Sequence, residues 1–440
     1  MAGQRGNAAM LTRRQMLGAT AGAAGLLALP SCGSDDGGGG GSGDGSLTFQ
    51  TFGTPAEEKA VSEAIDRYTE QNPDVTIQLD LVPFPQHYQS LDTRLAAGKG
   101  PDIVRIQYQQ LGHYSQQGAL IDLSPYLSQN HQDEYLPNFW EAVTHEGAPY
   151  ALPGDTGSHA IFYNTELFES LGIVVPDVMD EAWSWDDLIA AAQTLVNSGE
   201  VSHAFAMSWQ PADNAYRWTA YLYQHGGRLL SDDLAGSAVN SQEAIEAIAF
   251  TQSWFDNGLV PPNTSIKSGT EIQTLFANGD IGMMINGDFQ MSFLQENMAS
   301  EWGVAHLVQD IDQVNILGGN GMGVTKDCAE PELAADFLQF LNNDENQLNR
   351  VLGSQLLPTR TELSGRSADE LGYEYRPEVK DLFLEQLPLV SSTAVAETTS
   401  PQFGEINVVL GDELEAAFRS GQPADETAER LDGLITDVLA

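Results

Sequence analysis

The sequence predicts an α/β protein built as two lobes. Its 440 residues exceed what one hydrophobic core usually supports. A hydrophobic content of 42% is that of a globular chain. The first patterned stretch alternates short strands with helices, which implies a sheet with parallel pairs and helices on its faces.

Ahead of that stretch, Arg13 and Arg14 precede an apolar run over 16–29 that is too short to span a bilayer. Leu29-Pro30-Ser31-Cys32 then sets a small residue before a cysteine. The segment looks like a twin-arginine export signal ending in a lipobox, with residues 1–31 as signal and Cys32 as the lipid-attachment site. Residues 32–45, nearly all Gly, Ser and Asp, read as a flexible tether. An ordinary cleaved signal and an uncleaved anchor are the alternatives.

LTFQTF, residues 47–52, alternates as a strand. Residues 55–71 follow as a helix, with Val61, Ala64, Ile65 and Tyr68 at helical spacing and Asn72-Pro73 ending it. VTIQLDLVPF from Val75 is a second strand, 86–97 a second helix, 98–101 a break, and DIVRI a third strand. Ligands of such sheets bind beyond the carboxyl ends of the strands. Further on, 185–197, 241–257, 330–342 and 412–440 read as amphipathic helices. DIGMMING from Asp280 and NILGGNGMGV from Asn315 read as short strands or glycine-rich turns, and no internal repeat is visible.

Acidic residues number 62 against 19 basic ones, a formal charge of −43, and only five lysines occur. A surface this acidic repels nucleic acid and anionic lipid. The acids are spread along the chain, which favours adaptation to concentrated salt over a dedicated cation-binding surface. At molar salt the Debye length falls to about 3 Å and self-repulsion is screened. The cysteines are Cys32 and Cys328, so a lipidated Cys32 leaves no intrachain disulfide. No run after residue 31 approaches the roughly 18 apolar residues of a membrane span.

Several ordered motifs carry a resemblance. They include Gly98-Lys99-Gly100-Pro101-Asp102-Ile103, Gly118-Ala119-Leu120, Pro149-Tyr150-Ala151-Leu152-Pro153, Tyr163-Asn164 and Trp185-Asp186-Asp187-Leu188. Phe276-Ala277-Asn278-Gly279-Asp280-Ile281-Gly282, Asn286-Gly287, Gly318-Gly319 and Pro358-Thr359-Arg360 complete the series. Together they resemble the extracellular solute-binding proteins of ABC importers, in the cluster that includes maltose-binding protein. The resemblance implies a two-lobe periplasmic-binding-protein-like fold of type II, each lobe a mixed sheet flanked by helices, with the ligand cleft between lobes. By analogy the chain crosses between lobes near 150–153, 304–307 and 356–359. The first lobe is then 46–152 plus 308–355, and the second 153–307 plus 356–440. No catalysis and no cofactor are implied. The partners are a sugar, the permease subunits and their ATPase, with the protein a monomer held to the outer face of the membrane by its lipid.

A sugar has an apolar ring face and a rim of hydroxyls, so its cleft needs aromatic platforms and fixed polar groups. Phe289 falls where the family carries its stacking tryptophan, and Asp288 beside it adds a carboxylate. Tyr108, Gln109 and Gln110 occupy the family's ligand-facing stretch after the third strand, with glutamine where an aspartate is common. Asp155 supplies an acceptor after the first crossing. Phe52, Gly53 and Thr54 close the first strand and face the cleft, and Asn320 lies where glycines admit close approach. Trp209 and Trp218 flank QPADNAYR, whose Asp213, Asn214 and Arg217 resemble a cleft rim because they are costly to bury.

Rival functions are a secreted glycosidase, which needs two carboxylates across a cleft, and a binding protein for a polyamine or a metal. No HExxH, GxSxG or GxxxxGK[ST] motif is present, and the eight histidines are scattered without ligand spacing. Phosphorylated solutes are disfavoured by the scarcity of Arg and Lys.

Overall fold

The computed structural model describes residues 45–210 and 212–440. The expected export signal, Cys32 and the expected tether up to residue 44 lie outside the described residues. Strand β1 (Ser46–Thr51) leads into helix α1 (Pro55–Gln71), then β2 (Thr76–Leu81), helix α2 (Phe84–Ala96) and β3 (Ile103–Gln107). All five elements were legible to within three residues, the largest difference being β2, which ends at Leu81 and not at Phe84. Helix α1 starts on a capping box in which Thr54 and Glu57 satisfy each other's backbone amides. The spaced residues Val61, Ala64, Ile65 and Tyr68 are its buried face.

After β3 the chain turns directly into helix α3 (Tyr108–Gln116). A small hairpin, β4 (Thr144–His145) and β5 (Ala148–Pro149), precedes β6 (Ala151–Asp155) and β7 (His159–Asn164). The remaining strands are β8 (His203–Met207), β9 (Ile281–Gly287), β10 (Trp302–His306) and β11 (Asn320–Val324). Two mixed sheets result, of order β2-β1-β3-β11-β6 and β10-β7-β9-β8. In the first, β1 is parallel to β2 and β3, and β11 runs antiparallel to both β3 and β6. In the second, β7 is antiparallel to β9 and β10, and β8 is parallel to β9.

Both sheets are sandwiched by helices. The helix Pro331–Leu341 buries Phe337 and Leu338 in a core shared with Phe49, Tyr68 and Met322 of the first sheet's side. Helices Gln242–Asp256, Phe403–Ser420 and Ala424–Leu439 enclose a larger core around Phe205, Trp254 and Ile285 on the second sheet's side. The C-terminal stretch expected as helix over 412–440 is two helices, broken at Gly421, which takes φ +68°. Among the described residues no helix is long and apolar enough to cross a membrane.

The chain leaves the first sheet later than expected. Residues 150–153 belong to the run up to and through β6, and the change of sheet comes at 156–158. The return lies between β10 and β11, beyond the expected 304–307, which is mostly strand. Leu357 exchanges both backbone hydrogen bonds with Thr156, and the Thr156 hydroxyl donates to Gly318 O at 2.9 Å. Segments 156–158, 318–319 and 355–357 therefore run side by side. Gly318 and Gly319 make this possible: a Cβ on Gly319 would stand 2.2 Å from Asp155 O, and its φ is +102°.

Candidate functional site

A cleft of about 610 Å³ opens beside these crossings, and the carboxyl ends of β1, β3 and β6 bring Phe52, Arg105, Gln107 and Asp155 to it. Residues of the second sheet's side, His159, Arg217 and Phe289, face them across the same cleft. A second chamber of about 310 Å³ adjoins it and shares Arg217, Phe289 and Gln290 with the first.

The floor is an ion cluster. Arg105, on the otherwise apolar β3, is buried and sets Nη2 2.8 Å from Glu57 Oε1 and 3.1 Å from Asp155 Oδ2. Its Nη1 donates to Phe52 O at 2.7 Å, and its guanidinium lies 4.9 Å from the Phe52 ring centroid. Burial pushes the Glu57 carboxyl up, but the Arg105 charge and the Thr54 hydrogen bonds outweigh it and hold it below its ordinary value. Asn320 donates to Asp155 Oδ1 at 2.9 Å. Arg350 sits behind, buried, pushed down to about 10 chiefly by that burial, with its donors on Leu341 O, Gly154 O and Asn342 Oδ1.

On the opposite wall Phe289 is 36% exposed, one of few large apolar side chains in the described residues to be so. Its ring lies over Gly287, where a Cβ would stand 2.2 Å from it. His159 packs edge-on at 6.1 Å, with Nε2 3.2 Å from Ser208 Oγ. Burial, with the nearby Arg217 charge, holds His159 well below its ordinary value, so the ring is neutral.

Of the residues expected from sequence, the structure brings Phe52, Thr54, Asp155, Phe289 and Asn320 to one cleft. Gly53 is exposed beside them, in the turn between β1 and α1. The others are placed elsewhere. Tyr108 and Gln109 are buried, because α3 begins at once after β3 and turns both inward: Tyr108 donates to Asp155 O at 3.1 Å and Gln109 to Leu317 O at 2.6 Å. They brace the crossings instead of facing a ligand. Gln110, half-buried, lies beside Gly404 of the C-terminal helix.

Trp209 and Trp218 are core residues, not rim. Trp209 stacks on Trp254 and Phe418 and donates to Thr264 O, and Trp218 donates to Thr251 Oγ1. Asp288 is fully buried behind Phe289 with Lys380 Nζ at 3.0 Å. Burial raises the Asp288 carboxyl and lowers the Lys380 amine, each opposed by the other's charge. The pair fastens the hinge, since Asp288 Oδ1 accepts from Ser158 N and Lys380 donates to Gln355 O.

Arg105 and His159 were not foreseen as cleft residues, whereas Arg217, expected at a cleft rim from QPADNAYR, lines both chambers. An arginine inside the apolar run DIVRI was the available signal for Arg105, because a strand that buries it must supply carboxylates. Among the described residues no cluster of three or more His, Cys, Asp or Glu could hold a metal ion.

Two mixed sheets, each flanked by helices, joined by adjacent crossings over a cleft, define a solute-binding protein of the type II periplasmic fold. The chain belongs to the bacterial extracellular solute-binding protein family, whose pattern it matches over residues 53–348. A Brucella abortus (strain 2308) protein described as a binding protein is 28% identical over 297 residues, 67% of this chain and 69% of that one. The maltodextrin-binding protein MdxE of Bacillus subtilis (strain 168) is 25% identical over 320 residues, 71% of this chain and 73% of its own. Among solved structures, the solute-binding protein of Thermotoga lettingae TMO bound with α-D-tagatose superposes with a TM-score of 0.76 at 21% identity. It covers 90% of this chain and 100% of that one. The cyclic α-maltosyl-1,6-maltose binding protein of Arthrobacter globiformis gives 0.77 at 19% identity, over 90% and 99%.

Proposed function

We propose that this protein captures a carbohydrate in the cleft and presents its closed form to the permease of an ABC importer. One observation carries the reading: an exposed aromatic face lines a cleft with buried polar atoms that lack partners among the described residues. Arg105 Nε and Asn320 Oδ1 come from one side, and His159 Nδ1 from the other. A buried polar atom without a partner costs about 1–3 kcal/mol, so a ligand with a ring face and hydroxyls gains from both walls at once. That joint contact is the differential affinity hinge closure requires. The maltodextrin-binding relative, and a lactose-binding protein of Rhizobium radiobacter 25% identical over 305 residues, support the sugar class.

The lobe partition belongs to the same proposal: 46–152 plus 308–355 and 153–307 plus 356–440, with the first boundary moved to follow Asp155. Lipidation at Cys32 after the twin-arginine signal, attachment to the outer face of the membrane, the monomeric state and adaptation to salt also belong to it. A glycosidase would need a carboxyl held protonated at the cleft, whereas Glu57 is held low by Arg105 and Asp288 is enclosed.

Melting curves of residues 46–440 in about molar salt, against neutral sugars, polyols, polyamines and metals, test the reading. A sugar at 100 times its dissociation constant stabilises by about 2.7 kcal/mol and is recovered unchanged. Stabilisation by amines or metal alone overturns the sugar class, and recovery of cleaved sugar overturns the absence of catalysis.

A further inference from the structure

The smaller chamber and the seam between the two chambers have a chemistry of their own. Three buried polar atoms that line the smaller chamber lack a partner among the described residues: Gln210 Oε1, Ser268 Oγ and Arg217 Nε. Arg217 stands at the seam, lining both chambers, with its guanidinium carbon 5.8 Å from the ring centroids of Phe289 and of Tyr216. Its one hydrogen bond among the described residues goes from Nη1 to the backbone carbonyl of Ser208.

The charge around it is unbalanced. In a chain with 62 acidic residues against 19 basic ones, Arg105, Arg228, Arg360 and Arg376 each hold a carboxylate. Arg217 has no carboxylate within ion-pair distance among the described side chains. Across the cleft, Arg105 already carries both Glu57 and Asp155 and offers no free charge. Glu271 and Glu296 lie exposed at the edges, and Glu271 is engaged by Gln273. Among the described side chains, this cation without a carboxylate sits beside the exposed Phe289 ring, in a molecule whose field otherwise repels anions.

We propose that the ligand is an acidic saccharide, a uronate-bearing sugar whose ring covers Phe289 and whose carboxylate takes the open donors of Arg217. The remainder of the saccharide extends over Gln290 into the smaller chamber, where Gln210 and Ser268 meet its hydroxyls. This assignment rests on the sugar reading and narrows it. A planar guanidinium matches a carboxylate with two parallel hydrogen bonds, which a neutral hydroxymethyl group cannot reproduce.

Isothermal titration of the mature chain tests it, with D-glucuronate and D-galacturonate and their 1,4-linked dimers against D-glucose, D-galactose and the matching neutral dimers. One acidic sugar binds about tenfold or more tighter than its neutral counterpart, and in R217Q that acid-to-neutral ratio collapses towards one. R217K, with the charge but not the fork, gives an intermediate ratio. Ligand-free melting curves of each variant show that the fold is intact. Tighter binding of the neutral partner, or an unchanged ratio in R217Q, overturns the uronate assignment while leaving the sugar reading in place. Absence of binding by every sugar here and in the neutral panel overturns both.

Discussion

Arg105 sets a single terminal nitrogen 2.8 Å from Glu57 and 3.1 Å from Asp155, so one guanidinium ties β3 to the start of α1 and to the last residue of β6. Removing it leaves two carboxylates facing each other without a counter-charge. Arg105→Ala is expected to cost about 3–5 kcal/mol. The check is a lower denaturant midpoint with an unchanged slope. Glu57→Gln, which leaves Arg105 paired with Asp155, costs less.

Phe289 and Trp209 separate binding from folding. Phe289→Ala removes a partly exposed ring and lowers sugar affinity by about tenfold, with a smaller effect on stability. Trp209→Ala empties a core site stacked between Trp254 and Phe418 and costs about 3–5 kcal/mol. Titration and unfolding run on both variants read the contrast. Equal losses of affinity and stability in the Phe289 variant would make its ring a core residue.

His225 gives stability a pH dependence of known sign. Burial lowers its pKa, but hydrogen bonds that it donates to Asp310 and Glu246, with their charges, outweigh that and raise it above 6.5. The Trp185 ring stacks on it at 5.1 Å. Its contribution is therefore fully present below the unfolded value and is lost as pH rises through the higher folded value. Melting midpoints recorded from about pH 6 to about pH 9 fall partly for this reason, and His225→Gln flattens that part of the fall.

Gly319 tests the crossing. Its φ of +102° and the 2.2 Å approach a Cβ would make to Asp155 O leave no room for a side chain. Gly319→Ala is expected to destabilise by more than about 1 kcal/mol and to weaken ligand binding by displacing Asn320. Gly98→Ala, also at positive φ but with nothing within 4 Å of its Cβ, is the control that carries backbone strain alone.

What could be read beforehand follows the range of the interactions. Helix α1 was legible because its spacing, its Thr54 cap and its terminating Asn72-Pro73 all lie within the segment. Phe289 was legible from a motif. Asp288 was misplaced at the cleft edge because its partner, Lys380, lies 92 residues further on. Trp209 and Trp218 were misplaced because the polar residues between them suggested exposure. The 3-10 helix Ala212–Trp218 instead sends Trp218 into the core and leaves Arg217 on the cleft wall. Gln109 failed for a local reason, since no signal in DIVRIQYQQ marks the point where strand becomes helix.

Strand β11 lies between β3 and β6 in the first sheet, and β6 reaches that sheet only through it. On the ribosome, β6 emerges some 165 residues before its neighbour Asn320, the residue that pairs with Asp155. The first 155 residues of a nascent chain therefore hold β2-β1-β3 and a β6 that has no strand to join them. Completion waits until the entire second sheet has been synthesised, and truncation anywhere before β11 yields no independent first lobe.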